Sequence, residues 1–158
     1  MILVLALLCS CVAAGALEEL STEGTEALLK TDDKTLPYEL TYTSASLSPL
    51  VGEPYTTGQL IIRSVDELET FRGDKISEKW AKYDDAFFEE HSLIVVQVAG
   101  QGSAFRALPG RLIRRSDGVY TLRVYTYSPE VVETISWDDS FIIEADEQIP
   151  ADAELELY

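Results

Sequence analysis

The run Leu93-Ile94-Val95-Val96-Gln97-Val98 limits the fold more than any other stretch of this chain. Successive side chains on a strand point to opposite faces. Leu93 and Val95 on one face, and Ile94, Val96 and Val98 on the other, therefore both need cover. A strand that is apolar on both faces belongs in the interior of a sheet. This run is thus the expected central buried strand, and His91-Ser92 ahead of it breaks the preceding pattern.

The neighbouring elements follow from periodicity and turn residues. Tyr38, Leu40 and Tyr42 alternate with polar residues, and Gln59 to Arg63 is a short apolar run, so both predict strands. Gly52, Pro54 and Gly58 mark the loops between them. Ser64-Val65-Asp66-Glu67 has capping-box spacing, with Ser64 capping the first turn and Glu67 reaching back to the Ser64 amide. Val65, Leu68 and Phe71 then share a helix face, and Arg72-Gly73 closes the helix. A second short helix is expected over Lys75 to Lys82, with Ile76, Trp80 and Tyr83 inward. A further helical turn is expected over Asp84 to Glu90, where the leading acids suit the helix dipole. Gly100-Gln101-Gly102-Ser103 reads as a turn. Ser140 to Ala145 and Ala153 to Tyr158 are later strands, the last at an edge. This order predicts an α+β fold with a mostly antiparallel sheet and two or three short helices between the early strands.

Asp117-Gly118 is the sharpest hairpin signal, between Arg111–Ser116 and Val119–Ser128. A two-residue loop sets Arg115 opposite Tyr120, Ile113 opposite Leu122 and Arg111 opposite Val124. Ile113, Tyr120, Leu122 and Val124 then face the core. Arg114, Thr121, Arg123 and Tyr125 occupy the other face.

Met1 to Leu17 contains no charged side chain. A spanning helix needs about 20 apolar residues. A secretory core needs only about 7–15, followed by small residues, and Ile2 to Leu8 with Ser10, Ala13, Ala14, Gly15 and Ala16 fits that description. Leu8-Cys9-Ser10-Cys11 resembles a bacterial lipobox, with Cys11 as the lipidated residue. Cleavage after Ala14 or Ala16, releasing the protein, and an uncleaved anchor are the other outcomes. Glu18 to Thr35 has no aromatic residue and few apolar ones, which predicts a flexible acidic tether. Such a coil of about 18 residues has an r.m.s. span of roughly 25 Å. The other reading of this segment is a short helix around Glu23 to Lys30. The expected organisation is a signal peptide and lipobox over 1–17, the tether over 18–35 and one α+β domain over 36–158. The expected location is extracytoplasmic, lipid-anchored to the cell membrane, or else secreted.

Charge and cysteine usage remove several chemistries. The chain has 28 acidic and 12 basic residues and a net charge of −16. Such a surface repels phosphate backbones and anionic headgroups, which argues against nucleic acid and leaves a lipid anchor as the only membrane contact. The two cysteines, Cys9 and Cys11, both lie in the apolar N-terminus. The rest therefore has no disulfide, no cysteine nucleophile and no thiolate zinc ligand.

Ile62-Arg63-Ser64-Val65-Asp66-Glu67-Leu68, Tyr83-Asp84-Asp85-Ala86-Phe87-Phe88, Leu93 to Val98, Gly102-Ser103, Trp137 and Ile142-Ile143-Glu144 together form a pattern. It resembles a group of uncharacterised lipoproteins of Gram-positive bacteria and, more distantly, the C-terminal domain of PrcB-type protease-complex subunits. The likeness spans roughly Gln59 to Ala145, and its motifs are a cap, a helix and a core strand. It implies an accessory or binding domain and supplies no catalytic residues.

The residues themselves also point away from catalysis. The one histidine, His91, follows a helical turn beside Glu89 and Glu90, and no nucleophile motif accompanies it. The acidic groups Asp84/Asp85/Glu89/Glu90, Asp138/Asp139 and Asp146/Glu147/Asp152 lack the spacing of a calcium loop. Gly100-x-Gly102 has neither the third glycine nor the lysine of a phosphate loop. No catalytic residue, metal or cofactor is expected. A small carboxylate-dependent hydrolase is the enzyme alternative, because acid pairs can run glycoside hydrolysis.

The uneven feature is basic. Arg106, Arg111, Arg114, Arg115 and Arg123 supply five of the 12 positive charges. They either pair with the acidic C-terminal segment or form a partner site centred on Arg114, Arg123 and Tyr125, with Arg106 beside it. Arginine and tyrosine are the residues that interaction hot spots favour. The expected function is a membrane-tethered, extracytoplasmic accessory or binding domain without catalytic activity. Its partner is a cell-surface protein or an anionic ligand. A regulator or subunit of an extracellular protease is the alternative within binding.

Overall fold

A computed structural model gives residues 32–46, 51, 55–72, 80–101, 105–128 and 136–158. Among the described residues, eight strands and two helices run β1 (Lys34–Leu36), β2 (Tyr38–Ser46), β3 (Gly58–Ile62), α1 (Val65–Arg72), α2 (Asp85–Glu90), β4 (Ser92–Gln101), β5 (Arg106–Arg114), β6 (Tyr120–Tyr127), β7 (Ser136–Ala145) and β8 (Leu155–Leu157). The fold is α+β, and its strands form two four-stranded sheets. Their orders are β1-β5-β6-β8 and β2-β7-β4-β3, antiparallel throughout except where β8 runs parallel to β6.

The doubly apolar run is interior, held between β7 and β3. Ile94, Val96 and Val98, with Phe141, Ile143 and Ala145 of β7, pack against Leu36, Ala107, Leu112, Tyr120, Leu122 and Leu155 of the first sheet. Leu93 and Val95, with Ile62 and Ile142, face the other way and pack against Leu68, Tyr83 and Phe88. β4 is thus the middle layer of three, with a sheet on one side and the helices on the other. Each fully buried aliphatic side chain there contributes about 1.5–3 kcal/mol.

Local chemistry sets the helices. Ser64 Oγ accepts from the Glu67 amide at 3.1 Å, and the Glu67 carboxylate accepts from the Arg63 amide at 2.6 Å, one residue earlier than the capping box predicts. Val65, Leu68 and Phe71 share the packed face of α1. Asp84 caps α2 by accepting from the Phe87 amide at 2.9 Å. Trp80 meets Phe71 edge-on, and Tyr83 is buried.

Three strand boundaries differ from expectation. Lys34 and Thr35 belong to β1 and pair with Arg114 and Ile113, so the sheet takes in two residues placed ahead of the domain. Gly100 and Gln101 extend β4 and do not form a turn; they pair with Trp137 and Ser136. The Phe105 ring lies so close against Gly100 that a Cβ there would overlap it, so the strand needs glycine to pass under the ring. β7 begins at Ser136, four residues early. Its polar start is held because Asp138 and Asp139 accept from backbone amides on opposite faces of the sheet. The expectations for Cys11, the signal segment, most of the tether, the loop at Gly52 and Pro54, Gly102-Ser103 and most of Lys75 to Lys82 fall outside the described residues. No helix among the described residues is long and apolar enough to cross a membrane.

Candidate functional site: the outer face of the β5–β6 hairpin

The β5–β6 turn has one residue more than Asp117-Gly118 predicts. The Arg115 amide donates to Val119 O at 2.8 Å, and the Gly118 amide donates to Arg115 O at 3.0 Å. The loop is therefore Ser116-Asp117-Gly118, and Gly118 takes the left-handed position at φ 88°. Glycine is suited to that position because it has no Cβ to clash. The Asp117 carboxylate accepts from the Val119 amide and pairs with Arg115 at 2.5 Å.

That extra residue shifts the register. Arg114 pairs with Tyr120, Ile113 with Thr121 and Leu112 with Leu122. Cross-strand partners share a face, so Leu112 joins Tyr120 and Leu122 on the core side. Ile113 faces away with Thr121 and is buried all the same. Arg114 and Arg123 consequently lie on opposite faces of the sheet, against the expectation that they are neighbours.

Arg114 lies on the face of Tyr120, where an acid awaits it. Glu147 accepts from the Arg114 guanidinium and, at 2.7 Å, from the Tyr120 hydroxyl, and it lies 3.5 Å from Lys34 Nζ. Burial alone raises the Glu147 carboxyl, but the Tyr120 hydroxyl and the Arg114 charge outweigh it and hold the group below the usual carboxylate range. Arg115 bridges to Glu156 at 3.2 Å as well as to Asp117. These two arginines act within the fold, tying β1, β5, β6 and the last segment together.

A second irregularity follows along β5. Between Pro109 and Leu112 the register shifts again, and Gly110 and Arg111 stand opposite Arg123 alone. This is a β-bulge, two residues against one. Alternation from Leu112 puts Arg111 on the outer face, and the Cβ that Gly110 lacks would point there too, 2.7 Å from the Tyr125 ring and 3.0 Å from Arg123 Cβ. Tyr125 therefore lies flat over the glycine, with the Arg123 guanidinium 5.0 Å from its ring centroid. Beyond the bulge Leu108 pairs with Tyr125 and Arg106 with Tyr127, on the same face.

The outer face thus presents Arg106, Leu108, Arg111, Arg123, Tyr125 and Tyr127. Leu108, Tyr125 and Tyr127 are 52%, 51% and 54% exposed, a contiguous run of large side chains that the fold leaves uncovered. At its rim the Tyr38 hydroxyl donates to Pro109 O at 3.1 Å. Burial pushes its pKa up, and the neighbouring Tyr125 adds to that. Arg106 reaches the carbonyl of Phe105 and lies near Asp139, whose carboxyl is raised by burial and lowered less by the Ala107 and Ser140 amides and by Arg106 itself. Of the expected partner-binding residues, Arg106, Arg123 and Tyr125 share this face and Arg114 does not. Leu108 and Tyr127 belong to it although the sequence did not single them out, and Arg111, expected opposite Val124, joins them across from Arg123. Their signal in the sequence is Pro109-Gly110, because both residues inside a strand run mark a bulge or an edge.

Other polar groups are engaged in the fold. Gln97 is fully buried; it accepts from the Val51 amide and donates to Thr56 O, stapling that loop to the sheet. Asp138 Oδ2 accepts from the Tyr55 amide at 3.0 Å. Glu144 accepts from Tyr83 and Lys82 at 2.7 and 2.5 Å, and this hydrogen bond is the main cause that raises the Lys82 pKa. His91 terminates α2, stacks on Phe87 and lies 3.4 Å from Asp146. Among the described residues no group of three or more His, Cys, Asp and Glu side chains converges as a metal site would. No family model, curated protein or solved structure matches the chain.

Proposed function

We propose that this chain is an extracytoplasmic accessory domain, tethered to the membrane through Cys11, that binds a protein partner on the outer face of the β5–β6 hairpin. The observation that carries the reading is the uncovered face itself. Two tyrosines and a leucine stand more than half exposed beside Arg111 and Arg123. Exposed contiguous apolar surface rimmed by polar groups marks interaction sites. Tyrosine and arginine supply most hot-spot energy because they bury large area and still hydrogen-bond. The face is open sheet and not a cleft, which suits a protein surface better than a small substrate.

The test is photocrosslinking on intact cells. A photoreactive residue at Tyr127 should yield a discrete adduct that disappears with Tyr125→Ala. The same probe at Glu69, exposed on α1 at the far side of the molecule, should yield none. Equal adducts at both positions, or none at Tyr127, would refute the interaction face. Anchoring is tested separately: labelled fatty acid should enter the wild-type protein and not Cys11→Ser.

A further inference from the structure

We infer that Arg111 and Arg123 form a binding site for the carboxylate of an acidic side chain, carried on an extended partner segment whose apolar side chains cover Leu108 and Tyr127. The inference rests on reading the hairpin's outer face as the interaction surface, and it adds the chemistry of what binds there.

The first ground is charge. Across the bulge Arg111 and Arg123 stand on one face of neighbouring strands, where cross-strand Cβ atoms lie about 4.5–8 Å apart, direct to diagonal. Like charges at that spacing repel unless an anion lies between them. The other hairpin arginines have their anions: Glu147 for Arg114, Asp117 and Glu156 for Arg115, and the Asp139 charge near Arg106. Arg111 and Arg123 have no carboxylate partner among the described residues. In a chain of net charge −16 an unanswered pair of guanidinium groups is the exception.

The second ground is geometry. Arg123 rests on the Tyr125 ring, and Gly110 lets that ring lie close to the strand. Stacking restrains the guanidinium before anything binds and leaves its N–H edge free for a planar anion, the arrangement that favours bidentate carboxylate recognition.

The third ground separates a peptide from a polyanion. Two residues along a strand cover about 7 Å. Leu108 with Tyr125, and then Tyr127, therefore lie about 7 and 14 Å from the arginine pair on the same face. An extended segment following the hairpin places an acid on the arginines and apolar side chains at the next one or two same-face positions. A phosphate-rich polymer would bring charge onto the apolar Leu108 and Tyr127 side chains, and the net charge of −16 on the chain opposes it.

The experiment selects random short peptides on phage against the immobilised full chain. Parallel selections use Arg111→Gln/Arg123→Gln and Tyr125→Ala. The wild type should enrich peptides with Asp or Glu two or four residues from an aromatic or aliphatic residue. The double variant should lose the acidic preference and bind an enriched peptide at least tenfold more weakly, while melting no lower than wild type because a repulsion is removed. An unchanged acidic preference in the double variant, enrichment of basic or neutral peptides by the wild type, or no enrichment overturns the carboxylate site. Tighter binding of inorganic polyphosphate than of any selected peptide, lost in the double variant, overturns it in favour of a polyanion. If Tyr125→Ala abolishes the selected peptides and the arginine pair does not, the face stands and the carboxylate site falls. If none of the substitutions matters, the face itself falls.

Discussion

Replacing Glu147 tests whether the acid beneath the hairpin holds the first sheet together. Its carboxylate joins β1 through Lys34, β5 through Arg114 and β6 through Tyr120. The Tyr120 residue is 1% exposed, so Glu147→Ala leaves a phenol without its acceptor, which costs about 1–3 kcal/mol. The Arg114 side chain is 41% exposed, and its lost partner adds no more than about 1 kcal/mol. The expected loss is therefore about 2–3 kcal/mol, or roughly 10 °C in Tm at this size. Glu147→Gln keeps an acceptor for Tyr120 and should lose about half as much. The two variants also differ in pH dependence. The folded-state pKa of Glu147 is lowered, so its charge contributes stability that is full above the unfolded carboxylate value of about 4.3 and is lost as pH falls through the lower folded value. In thermal melts, the gap between wild type and Glu147→Gln should be widest near neutral pH and should close below about pH 4. An alanine variant that melts within about 2 °C of wild type, or a wild-type-to-Gln gap as wide at pH 3 as at pH 7, would refute the reasoning.

Changes at two glycines and one truncation probe the hairpin and its first partner strand. Gly118→Ala adds no contact within 4 Å, so its cost is conformational strain alone, about 1 kcal/mol or a few degrees in Tm, and Gly118→Asn should cost less. Gly110→Ala puts a Cβ 2.7 Å from the Tyr125 ring and should lift it off the strand; chemical shifts of Tyr125 and Arg123 should move, and partner crosslinking at Tyr127 should fall far more than Tm does. A chain beginning at Asp32 keeps β1 and the Asp33 carboxylate that accepts from the Ser116 amide at 2.9 Å, whereas a chain beginning at Leu36 loses both. The shorter one should melt several degrees lower; equal melts would show that Lys34 and Thr35 add nothing to the sheet.

Much of the fold was legible because local chemistry and packing agree. Ser64 and Asp84 mark helix starts, and both accept the amide hydrogen bonds that a cap requires. The alternation within Leu93–Val98 correctly implied cover on both sides of β4. It could not say that one cover is a second sheet and the other a pair of helices, because period two reports faces and not what lies against them. The start of β7 was illegible for a related reason. Asp138 and Asp139 are adjacent acids of the kind a strand seldom starts with, yet they are buried, and each has one carboxylate oxygen answered by a backbone amide from a distant segment, at Tyr55 and Ala107.

The candidate site shows how a one-residue slip can hide and then undo itself. Shifting a strand by one residue moves all its side chains to the other face. The third loop residue, Ser116, makes that shift at the tip, which carries Arg114 to Glu147 and turns Ile113 and Arg111 outward. The bulge at Gly110 and Arg111 adds a second residue to the same strand, so the parity returns below it. Arg106 and Leu108 then share the face of Arg123 and Tyr125, as the two-residue turn also predicts for them. Each irregularity alone would scatter the arginines over both faces. Together they separate the arginines that close the sheet from those that remain outside it, and they set Arg111 beside Arg123, a neighbour that no regular hairpin of this sequence provides. The turn and the bulge are therefore as much a part of the site as the side chains: were Ser116 drawn into the strand opposite Val119, leaving Asp117-Gly118 alone as the loop, Arg111 would turn off the outer face and Arg123 would lose its neighbour.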